Sequence, residues 1–544
     1  MNTSKSSQPT SSLRGFWSFI ATQFQGAFSD NVLRNLVVFI AIFGTAMSAE
    51  EKTDYGEGIN ALFSLPFILF SMAGGFLADR FSKRSVMLGV KVFELAIMAV
   101  VLVGLWTLNK NILLACVFLM GTHSAFFGPA KYGSLPELLP ERKLSWGNGV
   151  LELGTFMAII LGTAAAAILS QQLHGKQWVS GFILIGLAVV GFSTCLGIPR
   201  VPAAAPSKKF SLNFPAEVWR QLRAMRGDRP LWLALVGNTY FNFLGALLLL
   251  NVFFYGANVL GVKETQISFL TVSLALGIGL GSVSAGYLSG GKIEYGLVPL
   301  GAIGLAIFSS LLGLPHPTLP GAMTLLALLG FSGGFFIVPI MALLQHKPSR
   351  ETKGEVQATA NLLSFVGSFL ASGAHWLLAR QLHFSPRAVF LVGGLMTLAG
   401  AVYVLCLLPD ALLRFVLWFL TRTVYRIRVV GRENLPAKGG ALLVSNHLSL
   451  ADAMLLLAST DRNVRFMMFK AHYELPWIKP FARMLGVIPI SSEQRPREML
   501  KSLQIASDAI RDGEVVCIFA EGQITRIGHL LPFRRGFERI MKGI

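Results

Sequence analysis

From residue 15 to residue 408 the chain alternates long apolar runs with short polar ones, and from 409 that pattern stops. The runs fall at about 15–46, 58–79, 85–107, 111–130, 147–171, 177–198, 231–256, 265–289, 296–314, 320–344, 356–379 and 386–408. At ~1.5 Å per residue, runs of this kind cross a hydrocarbon layer of ~30 Å as helices. The first is longer than a bilayer requires, which predicts a tilted or projecting helix. A segment rich in Pro, Ala, Lys and Arg, 199–230, divides the spans into six plus six. Beyond 409, "LLRFVLWFLTRTVYRIRVVGREN" (412–434) begins as a basic amphipathic helix suited to a membrane interface. Arg426, Arg428 and Val430 then alternate with Ile427 and Val429 as in a short strand. "GALLVSNH" reads as a buried strand ending in a turn, 452–459 as the helix after it, and "GEVVCIFAEG" (513–522) repeats the strand-to-turn design. The expected fold is an α-helical membrane protein of twelve transmembrane helices followed by a partial α/β domain. Its parts are a tail (1–14), two six-helix halves (15–198 and 231–408), the linker 199–230, and an interfacial helix with the α/β domain (409–544).

Composition agrees with the pattern: 53% of residues are hydrophobic and 14% are charged. The net charge of +19 raises nucleic acid as a partner, but the basic residues sit in short segments between apolar runs, so none is expected. Lys and Arg are dense after spans two, four, six and ten, where Lys131, Arg142 and Lys143 are counted in the loop after span four. Alternate loops carry few, and the bias puts both ends in the cytoplasm. The N-terminus has no signal-peptide pattern. Cys116, Cys195, Cys406 and Cys517 are far apart and set in apolar surroundings, so they are read as packing residues, with no metal site.

The two halves resemble each other weakly. "FWSFIATQFQGAFSDN" (16–31) aligns with "LWLALVGNTYFNFLGA" (231–246), matching Trp17 to Trp232 and Phe28 to Phe243. "GFLADRFSKR" (75–84) falls opposite "GYLSGGKIEY" (286–295). Parallel repeats of this kind build secondary transporters with a site between the halves. Gly75, Asp79, Arg80, Lys83 and Arg84 form a loop motif similar to that of the major facilitator superfamily, with Ser82 where glycine is usual. Gly75 allows close helix approach, Asp79 suits a helix N-terminus or an arginine, and the basic residues suit anionic headgroups of membrane lipids. Gly277, Gly279, Gly281 and Gly286 lie inside a span and read as helix packing, not nucleotide binding.

Ionisable groups inside spans are costly and therefore candidates for function. Asp30, Asn31, Arg34 and Asn35 lie within two turns of span one. Two readings stay open: Asp30 and Arg34 neutralise each other at i, i+4, or the cluster lines a cavity and holds a charged headgroup. Lys91 and Glu94 invite the same readings, with pairing favoured; His123 reads as a packing residue. Asn148 and Glu152 in span five, and Asn238 and Asn242 in span seven, form further polar stripes. "AFSDN" (27–31), "FFGPAKYGSLPELLP" (126–140) and "GNGVLELGTFMAIILGT" (147–163) resemble the lysophospholipid transporters within that superfamily. The resemblance implies flippase-like import of a lysophospholipid, such as lysophosphatidylethanolamine, to the cytoplasmic leaflet of a bacterial inner membrane. It makes Asp30 and Asn31 the first choice for headgroup contact. The competing reading is a carrier of another amphiphile or solute with a non-catalytic C-terminal remnant.

In "VSNHLSLADA" (444–453), His447 and Asp452 are five residues apart. On one continuous helix they would sit ~140° apart and could not pair. A helix starting just after His447 lets the loop fold the imidazole onto the carboxylate, which frees the other nitrogen as a base. The run Asn446-His447-x-x-x-x-Asp452 resembles the first motif of the glycerolipid acyltransferases, "GVIPIS" (486–491) the second and "FAEGQITR" (519–526) the third. The resemblance implies acyl transfer to a lysophospholipid hydroxyl from acyl-ACP or acyl-CoA, so an acyl carrier protein is a candidate partner. It also implies substrate contacts from Asn446, Glu521 and Gly522. Ala520 and Gln523 depart from the usual proline and threonine, and Arg526 is the replacement considered for phosphate contact. A serine hydrolase through Ser445 or Ser449 lacks the Gly-x-Ser-x-Gly elbow, and Ser449 reads as a cap. Because the chain stops about twenty residues after Glu521, the domain is expected to be C-terminally truncated and incomplete for catalysis.

Overall fold

The computed structural model describes residues 13–44, 49–209, 213–290, 292–315, 318–349 and 351–407, then parts of 412–436 and most of 438–544. Two compact units divide the chain, Met1–Tyr403 and Val404–Ile544.

The first unit holds α1 (Leu13–Gly44), α2 (Ala49–Arg80), α3 (Lys83–Thr107), α4 (Lys110–Leu138), α5 (Leu144–Gln172) and α6 (Trp178–Leu196). After the linker helix α7 (Phe214–Gly227) come α8 (Arg229–Asn258), α9 (Glu264–Leu288), α10 (Leu297–Leu312), α11 (Leu319–His346), α12 (Lys353–Trp376) and α13 (Pro386–Leu407). Setting α7 aside, these twelve match the twelve apolar runs. Among the described residues ten helices are long and apolar enough to cross a membrane, and Leu297–Leu312 is a shorter apolar helix. The helix of the first run, α1, is not among the ten, and it is the helix that carries Gln23, Gln25, Asp30, Asn31, Arg34 and Asn35.

Local chemistry sets the helix starts. Asn109 accepts from the backbone N–H groups of Asn111 and Ile112, Asp228 from Leu231 and Thr318 from Gly321, satisfying donors that a helix leaves open. The linker contains a helix that hydropathy does not reveal. At 14 residues α7 is too short to span, and its basic side chains and the exposed Trp219 suit an interface.

The glycines of α9 work by close approach. A Cβ on Gly277 would fall 2.1 Å from the Ala327 carbonyl oxygen, and one on Gly281 2.1 Å from that of Phe331. In return, Gly330 and Gly334 of α11 sit against the backbone of Leu274 and Ser282. The two backbones touch with nothing between them, as helix packing in lipid favours. The halves meet through α5 and α9, where Gly149 abuts the Ser282 carbonyl, and through α2 and α12, where Gly75 abuts Ala358 and Gly354.

In the second unit, β1 (Ala441–Ser445), β2 (Val464–Phe469), β3 (Ile488–Ile490) and β4 (Val515–Phe519) form one parallel sheet in the order β1-β4-β2-β3. Three helices of this unit are α14 (Asp452–Ser459), α15 (Pro496–Arg511) and α16 (Gly536–Met541). Val464, Phe466, Val515 and Cys517 lie in a core on one side; Met467, Val516, Leu503 and Ala506 lie in another. Burial pushes the Cys517 thiol up to about 12, which suits packing and not reaction. The alternation at 427–430 does not build a strand; those residues are irregular. Alternation makes a strand only where a neighbour accepts its backbone, and the sheet's pairings involve β1 to β4 alone among the described residues. Arg426 and most of 418–426 lie outside the described residues.

Gly281→Val is expected to destabilise the membrane unit by about 1–3 kcal/mol or more through overpacking against Phe331. Gly186→Ala, where a Cβ meets open space, is the control and should leave the unfolding temperature unchanged. Thermal unfolding in detergent reads both; equal transitions would show that α9 and α11 do not pack as described.

Candidate functional site

The polar residues of α1 are distributed among three neighbouring helices. Ser124 of α4 donates to the Asp30 carboxylate at 2.5 Å, while the other oxygen, Oδ1, is buried with no hydrogen-bond partner among the described residues. Arg34 donates instead to the Asn31 amide oxygen (2.8 Å) and lies over the Phe63 ring. Asp30 and Arg34 therefore make no direct ion pair, although they lie within electrostatic reach. Asn35 donates to Thr163 of α5 at 3.0 Å.

A second set lies deeper. Lys91 and Glu94, both fully buried, pair at 2.7 Å, and Gln25 closes the group by accepting from Lys91 (2.6 Å) and donating to Glu94 (2.8 Å). His123 packs beside this group: its Nε2 is 3.4 Å from Glu94 with no hydrogen bond among the described residues, and its Nδ1 is 3.4 Å from Ser124 Oγ. An uncompensated charge at mid-membrane costs on the order of 3 kcal/mol, which explains why Lys91 and Glu94 are matched.

Lys131 corrects the loop count. It lies inside α4, not after it, within electrostatic reach of both Glu152 and Asp30. Glu152 does not join Asn148, which exchanges two hydrogen bonds with Gln345 of α11 (2.9 and 2.8 Å). Asn238 and Asn242 both donate to Ser364 of α12, at 2.8 and 3.1 Å, and no hydrogen bond links them to the Asp30 group among the described residues. Of the headgroup candidates, Arg34 bonds Asn31, and Asp30 and Glu152 each lie within electrostatic reach of Lys131.

The loop motif joins the halves. Asp79 Oδ1 accepts from the Gly354 N–H at the start of α12 (2.7 Å), where the helix dipole favours a carboxylate, and Oδ2 pairs with Lys208 of the linker (2.7 Å). Lys208 also pairs with Glu355, Arg80 donates to the Lys208 carbonyl, Lys83 pairs with Glu137, and Arg84 donates to the Leu196 carbonyl.

In the second unit the C-terminal ends of β1 and β4, in register, place His447 beside Glu521. The helix begins at Asp452, so the intervening turn folds back. Asp452 Oδ2 accepts from His447 Nδ1 (3.0 Å), Leu448 N (2.7 Å) and Ser449 N (2.8 Å). Partial burial pushes this carboxyl up, but the Ser449 N–H, the His447 ring and the Leu448 N–H outweigh it and hold it below the ordinary 3.8. The imidazole stacks on Phe519 with centroids 4.1 Å apart. Its Nε2 makes no hydrogen bond among the described residues, and the side chain is partly exposed. Ser449 Oγ accepts from Ala451 N, a local turn two residues long, and does not cap the helix as expected: the N-cap residue is Ala451, and the helix has no side-chain cap.

Glu521 is buried, and both oxygens are occupied by backbone: Oε1 accepts from His447 N (3.1 Å) and Oε2 from Leu531 N (3.2 Å). It thereby ties the turn that carries His447 to the segment beyond β4. Thr525 N donates to the His447 carbonyl at 2.9 Å. The Ser445 hydroxyl, the rival nucleophile, bonds the Asn446 carbonyl, so Asn446 is engaged through its backbone. Gly522, at φ +70°, turns the chain after Glu521, and Arg526 lies outside the described residues. Among the described residues no group of three or more His, Cys, Asp or Glu is placed to hold a metal.

Residues 15–372 match the family model described as Major Facilitator Superfamily, and residues 426–543 match the one described as Acyltransferase. The chain is 31% identical over 371 residues to the lysophospholipid transporter LplT of Salmonella schwarzengrund, covering 64% of this chain and 84% of that protein. To LplT of Salmonella gallinarum it is 29% identical over 354 residues, with the same coverage of 64% and 84%. Among solved structures, the human organic anion transporter MFSD10 aligns with a TM-score of 0.59 at 16% identity, covering 73% of this chain and 100% of that one. The E. coli fucose:proton symporter FucP aligns at 0.56 and 15%, covering 72% and 98%. At these identities the likeness to the solved structures is one of fold. The chain is an integral membrane protein.

The geometry predicts that neutral His447 carries its proton on Nδ1. Because the Asp452 carboxyl is held below 3.8, the bonds of its carboxylate persist as pH falls to that value and are lost only below it. Nitrogen NMR of histidine-labelled protein, with His447 assigned by His447→Gln, reads the tautomer. Asp452→Asn should abolish the preference, and an Nε2–H tautomer in the unsubstituted protein would contradict it.

Proposed function

The chain belongs to the Major Facilitator Superfamily, and from that premise we propose that its membrane unit imports a lysophospholipid which its second unit re-acylates. The observation that carries the reading is one chain holding both a half-satisfied intramembrane charge group and an oriented histidine base. The likeness to the LplT transporters supports the cargo. A zwitterionic headgroup needs both signs of charge, with Asp30 and Glu152 facing its ammonium and Lys131 and Arg34 its phosphate. The unpartnered Asp30 Oδ1 is the acceptor left for it. The acyl tail stays against apolar helix surface or lipid. The density of basic residues in alternate loops supports a reading with both ends and the second unit in the cytoplasm of a bacterial inner membrane.

In the second unit His447 Nε2 takes the proton of the glycerol hydroxyl, and the oxygen attacks the thioester carbonyl of acyl-ACP or acyl-CoA. The carbon–sulfur bond breaks, the ester forms, and the imidazolium returns its proton to the departing thiolate. Asp452 stabilises the imidazolium and keeps Nδ1 protonated, and Glu521 fixes the turn. Substrate contact is proposed for Asn446, Gly522 and Arg526.

Two measurements test the reading. In proteoliposomes, Asp30→Ala and Lys131→Ala should each slow uptake of labelled lysophosphatidylethanolamine by roughly tenfold or more, the worth of one charge-assisted contact. Uptake at the unsubstituted rate in both would remove the headgroup assignment. Separately, His447→Ala should lower acyl transfer from a thioester about 10²- to 10⁴-fold. Undiminished transfer would refute His447 as base.

A further inference from the structure

The turn after β4, residues 519–525, carries no lysine or arginine of its own. The structure brings a cation to the same turn from further along the chain. Arg534 N donates to the Ala520 carbonyl at 2.8 Å, which pins that residue beside the end of β4. Its side chain then lies flat on Gly522: a Cβ there would meet Arg534 Nε at 2.9 Å, Cδ at 3.0 Å and Cζ at 3.1 Å. A glycine is needed here twice over, for its φ of +70° and for this contact.

The neighbouring acid does not consume the cation. Both Glu521 oxygens are taken by the N–H groups of His447 and Leu531, and Arg534 makes no ion pair or side-chain hydrogen bond among the described residues. Arg535, the next residue, differs in having Glu538 within 4.0 Å. A planar guanidinium that is exposed, positioned by its backbone and stacked on a glycine next to the residue bracing the base is built to hold a phosphate bidentately.

We propose that Arg534 holds a phosphate oxygen of a substrate at the His447 site, an inference that rests on the acyl-transfer reading above. The phosphodiester of the lysophospholipid and the phosphates of the thioester donor share this chemistry. Binding is tested without turnover by phenylglyoxal modification of the full chain, mapped by mass spectrometry, with Arg535 as internal control. Protection of Arg534 by glycerophosphoethanolamine assigns the acceptor phosphate, and protection by coenzyme A assigns the donor. Protection by neither overturns the proposal even if acyl transfer itself is found. Kinetically, Arg534→Gln should raise KM for the protecting substrate by roughly ten- to a hundredfold with kcat nearly kept, and Arg534→Lys should recover part of the loss. An unchanged KM in Arg534→Gln also overturns it, whereas protection of Arg534 in a protein that transfers no acyl group would count against the catalytic reading alone.

Discussion

A charge held among apolar helices has no water to turn to, so its partner must come from the protein or from what the protein carries. Most of the architecture of the membrane unit follows from that constraint. Lys91 and Glu94 meet it with each other and with Gln25, and Asn148 and Gln345 meet it by a reciprocal amide pair. Asp79 meets it at the start of α12 with Lys208. Asp30 meets it only in part, through Ser124. The exception is the group for which cargo contact is proposed. The same constraint explains why the Asp30 group, and not the Asn238–Asn242 stripe, is the stronger candidate: the amides of the latter are spent on α12.

The second unit solves a different problem, that of aiming a histidine. Two parallel strands end in register, and each is followed by a turn. Glu521 ties one turn to the other, and Asp452 collects three donors from the loop that carries His447. Hydrogen bonds to a charged group contribute ~1.5–3 kcal/mol each, comparable with the ~1–2 kcal/mol per residue lost in ordering a turn. The motif spacing is thus a folding device as well as a chemical one: it gives a carboxylate, at the first residue of a helix, a loop short enough to wrap around it.

The apolar runs made the twelve helices legible because lipid demands continuous hydrophobicity, and the motif around His447 made its pairing with Asp452 legible because both lie in one turn. What could not be read lies between distant segments. Ser124 is 94 residues from Asp30, Lys208 129 from Asp79, and Gln345 197 from Asn148. No period or spacing links such pairs. Lys131 reads as a loop residue because polar and proline residues follow it, yet α4 continues through Pro136 to Leu138. The linker helix α7 is too short and too rich in arginine to stand out as an apolar run, although Val218, Leu222 and Met225 share one face of it. At 427–430 alternation without a pairing neighbour made no strand.

The central claim is that one chain both delivers and modifies the same lipid. Its most direct test is a single vesicle reaction in which labelled lysophospholipid is supplied on one side and the thioester donor is trapped on the other. The account predicts diacyl product with the unsubstituted chain, little with Asp30→Ala, and none with His447→Ala although label still enters. Product formation in Asp30→Ala vesicles at the unsubstituted rate, or continued acylation by His447→Ala, would contradict it.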